Sequence, residues 1–253
     1  MTRVGLMYAS LDGVTFDGGD PWALFTIWQD QIRGWFESVG VRRQDADRPL
    51  SHGAFASRAY RGGRLITVEG QINTRSPGEQ ESAMARMTGI LADGQLGDLA
   101  VTTTEGTSSA LVQLNAAPEI RVVTYGRVAN YSLELWAPDP RRYGERRVWS
   151  GRSVEPWHRG NTDAHPVCTV MGAASNGYTI SYRGHAFRVS GSKSASSVDV
   201  IDMRTGWVRR DGRVLTGVVS AADVFTVPRG AVAGPVTITG GPSMEVALRD
   251  TYI

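Results

Sequence analysis

Leu65-Ile66-Thr67-Val68-Glu69-Gly70-Gln71-Ile72-Asn73 is the most regular stretch of the chain. Ile66, Val68 and Ile72 fall on one face and Thr67, Glu69, Gln71 and Asn73 on the other, because successive side chains alternate along an extended backbone. A strand with one apolar and one polar face is half-buried, so it belongs to a sheet that covers a core on one side. Arg61-Gly62-Gly63-Arg64 precede it, and two glycines that accept positive φ predict a tight hairpin from a strand over Ala54–Tyr60. The same period of two returns at Ala110, Val112 and Leu114, and again at Tyr131, Leu133 and Leu135 opposite Ser132 and Glu134. These segments are expected to be neighbouring strands of one sheet.

One helix interrupts the strands. Ser76-Pro77-Gly78-Glu79 sets a serine cap, a proline in the first turn and a glutamate three residues past the cap, a pattern that satisfies two free N–H groups reciprocally. Ala83, Met84, Met87, Ile90 and Leu91 then form an apolar stripe at helical spacing, and Gly94 supplies a stop, which predicts a helix over about 77–93 lying on the sheet. Trp22-Ala23-Leu24-Phe25-Thr26-Ile27-Trp28, followed by Ile32, Trp35, Phe36 and Val39, fits both periods. Gly34 and the bulky, β-branched composition favour strands there.

The wider composition agrees with a folded β protein. The chain has 253 residues, 41% hydrophobic and 21% charged, with 30 glycines and 11 prolines along its whole length, so it is neither disordered nor fibrous. Lys and Arg number 27 against 25 Asp and Glu, a formal charge of +2 that argues against a chain-wide polyanion-binding surface. Cys168 is the single cysteine, which excludes an intrachain disulfide, a thiolate zinc site and a dithiol redox pair. Lys193 is the single lysine. Met1–Tyr8 lacks a charged head followed by an apolar run, so no signal peptide is expected, and Trp22–Trp28 is too short to span a bilayer, so no membrane anchor is expected.

Ala137-Pro138-Asp139-Pro140 breaks the pattern, since two prolines forbid a continuing central strand, and the domain boundary is placed there. Downstream the sequence predicts only short strands, over 167–171, 178–182, 186–189, 198–201, 207–210, 214–218, 236–239 and 244–248. The expected fold class is all-β, with two β-sandwich domains over 1–140 and 141–253. The last strand, about 244–252, either stays in the second sandwich or returns to the first.

Candidate chemistry is sparse. The chain has no Gly-x-Ser-x-Gly elbow, no Gly-Lys-Ser/Thr phosphate loop and no Gly-x-Gly-x-x-Gly after a strand. His158, Asp163 and His165 have donor types that suit a metal ion, and with Gly160, Asn161 and Pro166 they are equally the residues a turn uses. His52 and His185 stand alone, with no third group to make either a base. Asp45 with Asp47, and Asp199 with Asp202, are carboxylate pairs of the sort that glycoside chemistry uses and that exposed loops also carry. Arg141 to Arg152, with Trp149 and Trp157, offers a basic aromatic surface, interleaved with Glu145 and Glu155. Trp149, Trp157 and Trp207 are also candidates for stacking on sugar rings. No catalytic, metal or cofactor-binding residue is assigned.

The order of features along nearly the whole chain resembles the distal tail proteins of phages with long, non-contractile tails, a family that includes phage minor tail proteins. In the first half these features are Arg42-Arg43 through Pro49 to His52-Gly53, the strand Gly63 to Gly70, the helix, and Trp136-Ala137-Pro138-Asp139-Pro140. In the second half they are Gly160-Asn161, Pro166 with a strand to Gly172, Ile201-Asp202, Thr205-Gly206-Trp207-Val208, Asp211-Gly212, and Val227-Pro228-Arg229-Gly230. The resemblance implies a first domain similar to the tail-tube fold, assembled as a homo-hexameric ring at the tail's distal end, and a galectin-like second domain projecting from it. It implies a structural virion protein, made in the host cytoplasm, with no enzyme activity and no cofactor. The implied partners are the tail tube protein, the tail-tip or baseplate hub proteins and the tape measure protein, with DNA only in transit through the channel. Trp22–Phe36 does not align with the family pattern, and the second half lacks a His-x-Asn-x-Arg sugar motif, so the resemblance does not carry sugar binding with it. A carbohydrate-binding module of the tail tip is the alternative reading.

Overall fold

The computed structural model of the protein describes residues 7–230 and 234–253, without the side chains of 29–31. Residues 1–6, in the stretch read for a leader, lie outside the described residues. The fold is all-β with one helix among the described residues. It divides into two compact units, one made of the described residues through Arg142 together with Ile253, the other Tyr143–Tyr252.

The first unit contains β1 (Tyr8–Leu11), β2 (Val14–Asp17), β3 (Phe25–Arg33), β4 (Val41–Arg42), β5 (Ala46–Asp47), β6 (Ala54–Phe55), β7 (Tyr60–Arg61), β8 (Arg64–Asn73), α1 (Pro77–Gly89), β9 (Gly97–Thr103), β10 (Gly106–Leu114), β11 (Glu119–Thr124) and β12 (Val128–Ala137). Its main sheet runs β11-β12-β8-β3-β2-β1-β9-β10, and β10 also pairs with β12 at Gln113↔Trp136 and Leu114↔Leu135. That last pairing closes β12 through β10 into a barrel, where the sequence predicts a sandwich. Strong twist lets one sheet curl onto itself, and closure removes its edges. The alternation in 65–73 does what its period requires: Ile66, Val68 and Ile72 are buried with Leu133, Leu135, Leu99 and Val101 in one core. The helix stripe Ala83, Met87, Ile90 and Leu91 joins the same core.

Three expectations are corrected here. The Arg61–Arg64 hairpin does not form: β7 pairs with β4, not β8, and β8 lies between β3 and β12. Neither Gly62 nor Gly63 has positive φ. Gly63 is instead a point of close approach, where a Cβ would stand 2.4 Å from Trp136 Nε1. The helix ends at Gly89, four residues before the expected 93, because Leu91 turns to φ +49° and its N–H is held by Asp12 Oδ2 at 3.1 Å. Its start is as expected at Ser76, whose hydroxyl accepts from Glu79 N at 3.3 Å, but the returning Glu79 carboxylate takes the Arg75 N–H at 2.7 Å. Finally, Trp22 is outside any strand, and the strand in that segment begins at Phe25.

The second unit contains β13 (Arg142–Gly151, its first residue in the other unit), β14 (Ser153–Val154), β15 (Val167–Met171), β16 (Tyr178–Tyr182), β17 (His185–Val189), β18 (Val198–Asp202), β19 (Trp207–Arg210), β20 (Arg213–Val214), β21 (Val219–Ala222), β22 (Val236–Thr239) and β23 (Ser243–Tyr252). Sheet order β13-β23-β15-β18-β19-β20 faces β14-β22-β16-β17-β21 across a core of Cys168, Val170, Ile180, Phe187, Ile201 and Val246. The strand predicted over 214–218 is replaced by β20 and β21, which lie in different sheets; Gly217, at φ +72°, turns the chain between them. β23 pairs with β15 in this unit along Val167↔Ala247 to Met171↔Ser243.

Candidate functional site

Residues 41–61 form a ribbon of two short ladders, Val41↔Arg61 with Arg42↔Tyr60 and Ala46↔Phe55 with Asp47↔Ala54. The Arg48 N–H closes its tip on Gly53 O at 3.1 Å. Every residue from Val41 to Arg61 is exposed, and Leu50 at the tip is 98% exposed. A two-stranded ribbon with no core of its own is marginal in water. It exposes Val41, Leu50, Phe55 and Tyr60 among five arginines and two aspartates. Arg48 lies over the Phe55 ring at 5.5 Å and Arg58 over the Tyr60 ring at 5.6 Å.

The root of the ribbon is rigid. Arg61 donates to Val39 O at 2.7 Å, and the Gly62 N–H to Gly40 O at 3.1 Å. Just beyond, Arg64 is buried and donates to the carbonyls of Gly34, Trp35, Glu37 and Pro140 at 2.5 to 3.1 Å. Burial lowers the Arg64 pKa, opposed by the nearby Glu37 charge. One guanidinium thus binds the start of β8 to the segment where the ribbon leaves the barrel.

A second feature of the first unit is β11, the end strand of the sheet outside the barrel closure. Val122 and Val123 on it are 44% and 57% exposed, and neither proline nor lysine blunts it. Such an edge is a template for another strand.

The residues singled out from the sequence lie elsewhere and do not converge. His158 is buried; its Nδ1 accepts the Gly160 N–H at 3.1 Å, which leaves Nε2 as the donor to Val227 O at 3.3 Å. Both ring nitrogens are therefore engaged by backbone, one in its own turn and one at a distant segment, and among the described residues no group of three His, Cys, Asp or Glu side chains could hold a metal ion. His52 is exposed near the ribbon tip. His185 pairs with Asp223 at 2.8 Å, and that hydrogen bond holds the Asp223 carboxyl below its ordinary pKa. Asp45 accepts from Ser57 at 2.9 Å and faces Arg43 at 3.4 Å, while Asp47 is exposed in the same ribbon. Asp199 points into the second core and Asp202 outward from the same strand, so they are not a carboxylate pair.

The arginine run is spent on structure. Arg141 pairs with Asp139, Arg142 stacks over Trp35 and Phe36, and Arg147 pairs with Asp250 and Glu145 while lying 4.7 Å over the Trp157 ring. Trp149 packs on the second core, which leaves Trp207, 55% exposed, as the accessible member of the three tryptophans. The ribbon itself was not legible as a ribbon, because ladders of two residues are too short to show a period. The available signal was 21 residues between Gly40 and Gly62 without a buried-face pattern and rich in arginine.

No protein-family model matches the chain, and no curated protein matches it. Solved structures do. The Dit protein of phage SPP1, described as a paradigm of hub adsorption apparatus in Gram-positive infecting phages, aligns over 98% of this chain and 99% of its own, with a TM-score of 0.73 at 11% sequence identity. A chain of the phage P2 baseplate in its activated conformation with Ca aligns over 95% of this chain and 97% of its own, with a TM-score of 0.50 at 6% identity. At these identities the likeness establishes a shared fold along the full length.

Proposed function

We propose that this chain is a structural subunit at the distal end of a long, non-contractile phage tail. Six copies form a ring that joins the tail tube to the tail-tip or baseplate proteins, beside the tape measure protein, and lets DNA pass through its centre. In this reading residues 1–140 are the tail-tube-like, ring-forming domain, and residues 141–253 are a galectin-like domain that projects from the ring. The role is architectural, without catalysis. The observation that carries it is the ribbon 41–61, exposed throughout and anchored at a rigid root, in a chain whose full-length structural likeness is to a phage hub protein. A ribbon of this kind extends a neighbour's sheet or covers its surface, and repeating the contact around an axis closes a ring.

Native mass by light scattering, with negative-stain imaging, tests this reading. The expected result is a six-fold ring with a central hole. Replacing residues 44–59 by a short glycine turn is expected to leave a folded monomer; rings that survive the replacement would falsify the role given to the ribbon. The accessible indole of Trp207 supports the second reading, a sugar-binding module. Binding of a host-wall polysaccharide that disappears in Trp207→Ala is its test.

A further inference from the structure

On the outward face of the first unit, β8, β12 and β11 set two polar rows side by side. Strand register aligns Glu69, Ser132 and Glu119 in one row and Gln71, Asn130 and Arg121 in the next. Both rows belong to the half of the alternation that faces away from the core, since Val68, Ile72, Ala129, Tyr131 and Leu133 are buried. Two strand spacings, about 10 Å, separate Glu69 from Glu119. A wall is added by β3. Its ladder with β8 stops after Ile27↔Gly70 and resumes at Ile32↔Val68, so residues 28–31 stand against Glu69 alone. An irregularity of this kind bends its strand and re-aims a side chain. Trp28 opens it and is 37% exposed. Trp28, Glu69, Glu119, Arg121, Asn130 and Ser132 together line a trough of about 490 Å³, within the range of small-molecule sites.

Arg33 pairs with Glu69 at 2.7 Å, so two carboxylates stand with two guanidiniums and the trough is formally neutral. It offers no net attraction to a polyanion or to a cation. Instead it offers hydrogen bonding of both senses: Glu69 and Glu119 accept, Arg121 donates and Ser132 does either. Asn130 is oriented by accepting the Gln71 Nε2–H at 3.3 Å through Oδ1, which leaves its Nδ2 amide to donate to a ligand. Beside these groups stands an indole, with a flat apolar face. Closely spaced donors and acceptors next to a flat apolar surface suit a ligand that carries hydroxyls around its rim and C–H groups on its face.

We infer that this trough binds a neutral oligosaccharide, with one sugar ring stacked on Trp28 and its hydroxyls held by Glu69, Asn130, Ser132 and Glu119. The site lies in the first unit, apart from Trp207, and it goes beyond the ring reading and does not depend on it. Trp28 belongs to the segment that departs from the tail-protein pattern, so the trough is a feature of this chain's own sequence.

The test is binding of the full chain to a panel of neutral oligosaccharides, namely maltohexaose, cellohexaose, chitohexaose and mannohexaose, with heparin as a polyanionic control. At least one neutral sugar is expected to bind and heparin is not. The affinity is expected to be the same at low salt and at about 0.5 M, because no net charge is neutralised. Trp28→Ala and Asn130→Ala are each expected to weaken binding about tenfold, the loss of one stacked ring or one hydrogen-bonding amide. Trp28→Phe, which keeps a flat ring, is expected to lose less, and Trp207→Ala nothing. Glu119→Gln, at an exposed position, is expected to weaken binding without altering the circular dichroism spectrum, which separates loss of the site from loss of the fold. A chain that binds no member of the panel, binding that follows Trp207 and not Trp28, or binding that falls with salt would each overturn the inference. Replacing the ribbon separates this site from the ring reading, because it is expected to remove six-fold assembly and to leave oligosaccharide binding in place.

Discussion

Tyr131 donates its phenolic hydrogen to the carbonyl oxygen of Thr26 at 3.0 Å inside the barrel of the first unit, reaching across Gly70, its register partner on β8. The β3–β8 ladder pairs Thr26 with Gln71 and Ile27 with Gly70, and its register shifts between Ile27 and Ile32. A Cβ at Gly70 would stand 1.7 Å from Thr26 O and 2.8 Å from Tyr131 Oη. Gly70, which looks like a gap in the apolar face of the strand, is the space that this hydrogen bond occupies.

Gly70→Ala is therefore expected to destabilise the protein by about 3 kcal/mol, the upper range for overpacking, because the clash is with backbone and not with a flexible side chain. Tyr131→Phe keeps the ring and strands the Thr26 carbonyl, for a smaller loss of about 1 to 2 kcal/mol. Urea midpoints measure both. A Gly70→Ala variant as stable as wild type would contradict the close approach.

In the second unit, Asp199 is wholly buried and held by Arg210 through both oxygens, at 2.7 and 2.9 Å, and by the Tyr178 hydroxyl at 2.8 Å. Arg210→Ala removes the counter-charge and leaves a buried carboxylate, with an expected loss of about 3 to 5 kcal/mol. The double replacement Arg210→Met with Asp199→Leu removes both charges and is expected to cost much less. Chemical denaturation of the two variants checks the ordering, and equal losses would contradict it.

Alkaline pH is expected to weaken the fold. Burial pushes the Cys168 thiol up from 9.0 to about 12, and it also raises the Tyr131 phenol above its ordinary value. These groups bind protons more tightly in the folded chain, so their contribution is complete below their unfolded pKa values and is lost as pH rises toward the folded ones. Each contributes a slope of about 1.4 kcal/mol per pH unit in its window. Urea midpoints measured between about pH 8 and about pH 10.5 are expected to fall steadily; a flat profile would count against the burial of both groups.

Lys193 is the single lysine and is buried, with its ammonium donating to the carbonyls of Gly172 at 2.9 Å, Ser194 at 3.4 Å and Ser197. Amine-reactive esters are expected to leave it unmodified in the folded protein and to label it after denaturation, as read by peptide mass spectrometry. Lys193→Met leaves those carbonyls without their donor and is expected to cost about 2 kcal/mol.

The alternation of Ile66, Val68 and Ile72, the helix start at Ser76 and the stripe through Met87 were legible in the sequence because each is a local rule: side-chain period, cap chemistry and face. The all-β class followed from the same kind of local signal. Glycine was where local reading failed. Gly62 and Gly63 look like a turn and are not one, since a glycine that permits positive φ and a glycine that makes room for Trp136 or Thr26 are the same letter. Barrel closure through Gln113↔Trp136, the partner exchange that made β4 and β7 a ribbon, and the hydrogen bond from His158 Nε2 to Val227 O are long-range pairings. They depend on which segments meet in space and not on the pattern within any one of them. By itself the sequence determined which faces are apolar and where the helix begins. Only the tertiary structure decided which strands meet, because strand pairing is chosen by competition among many apolar faces of similar period.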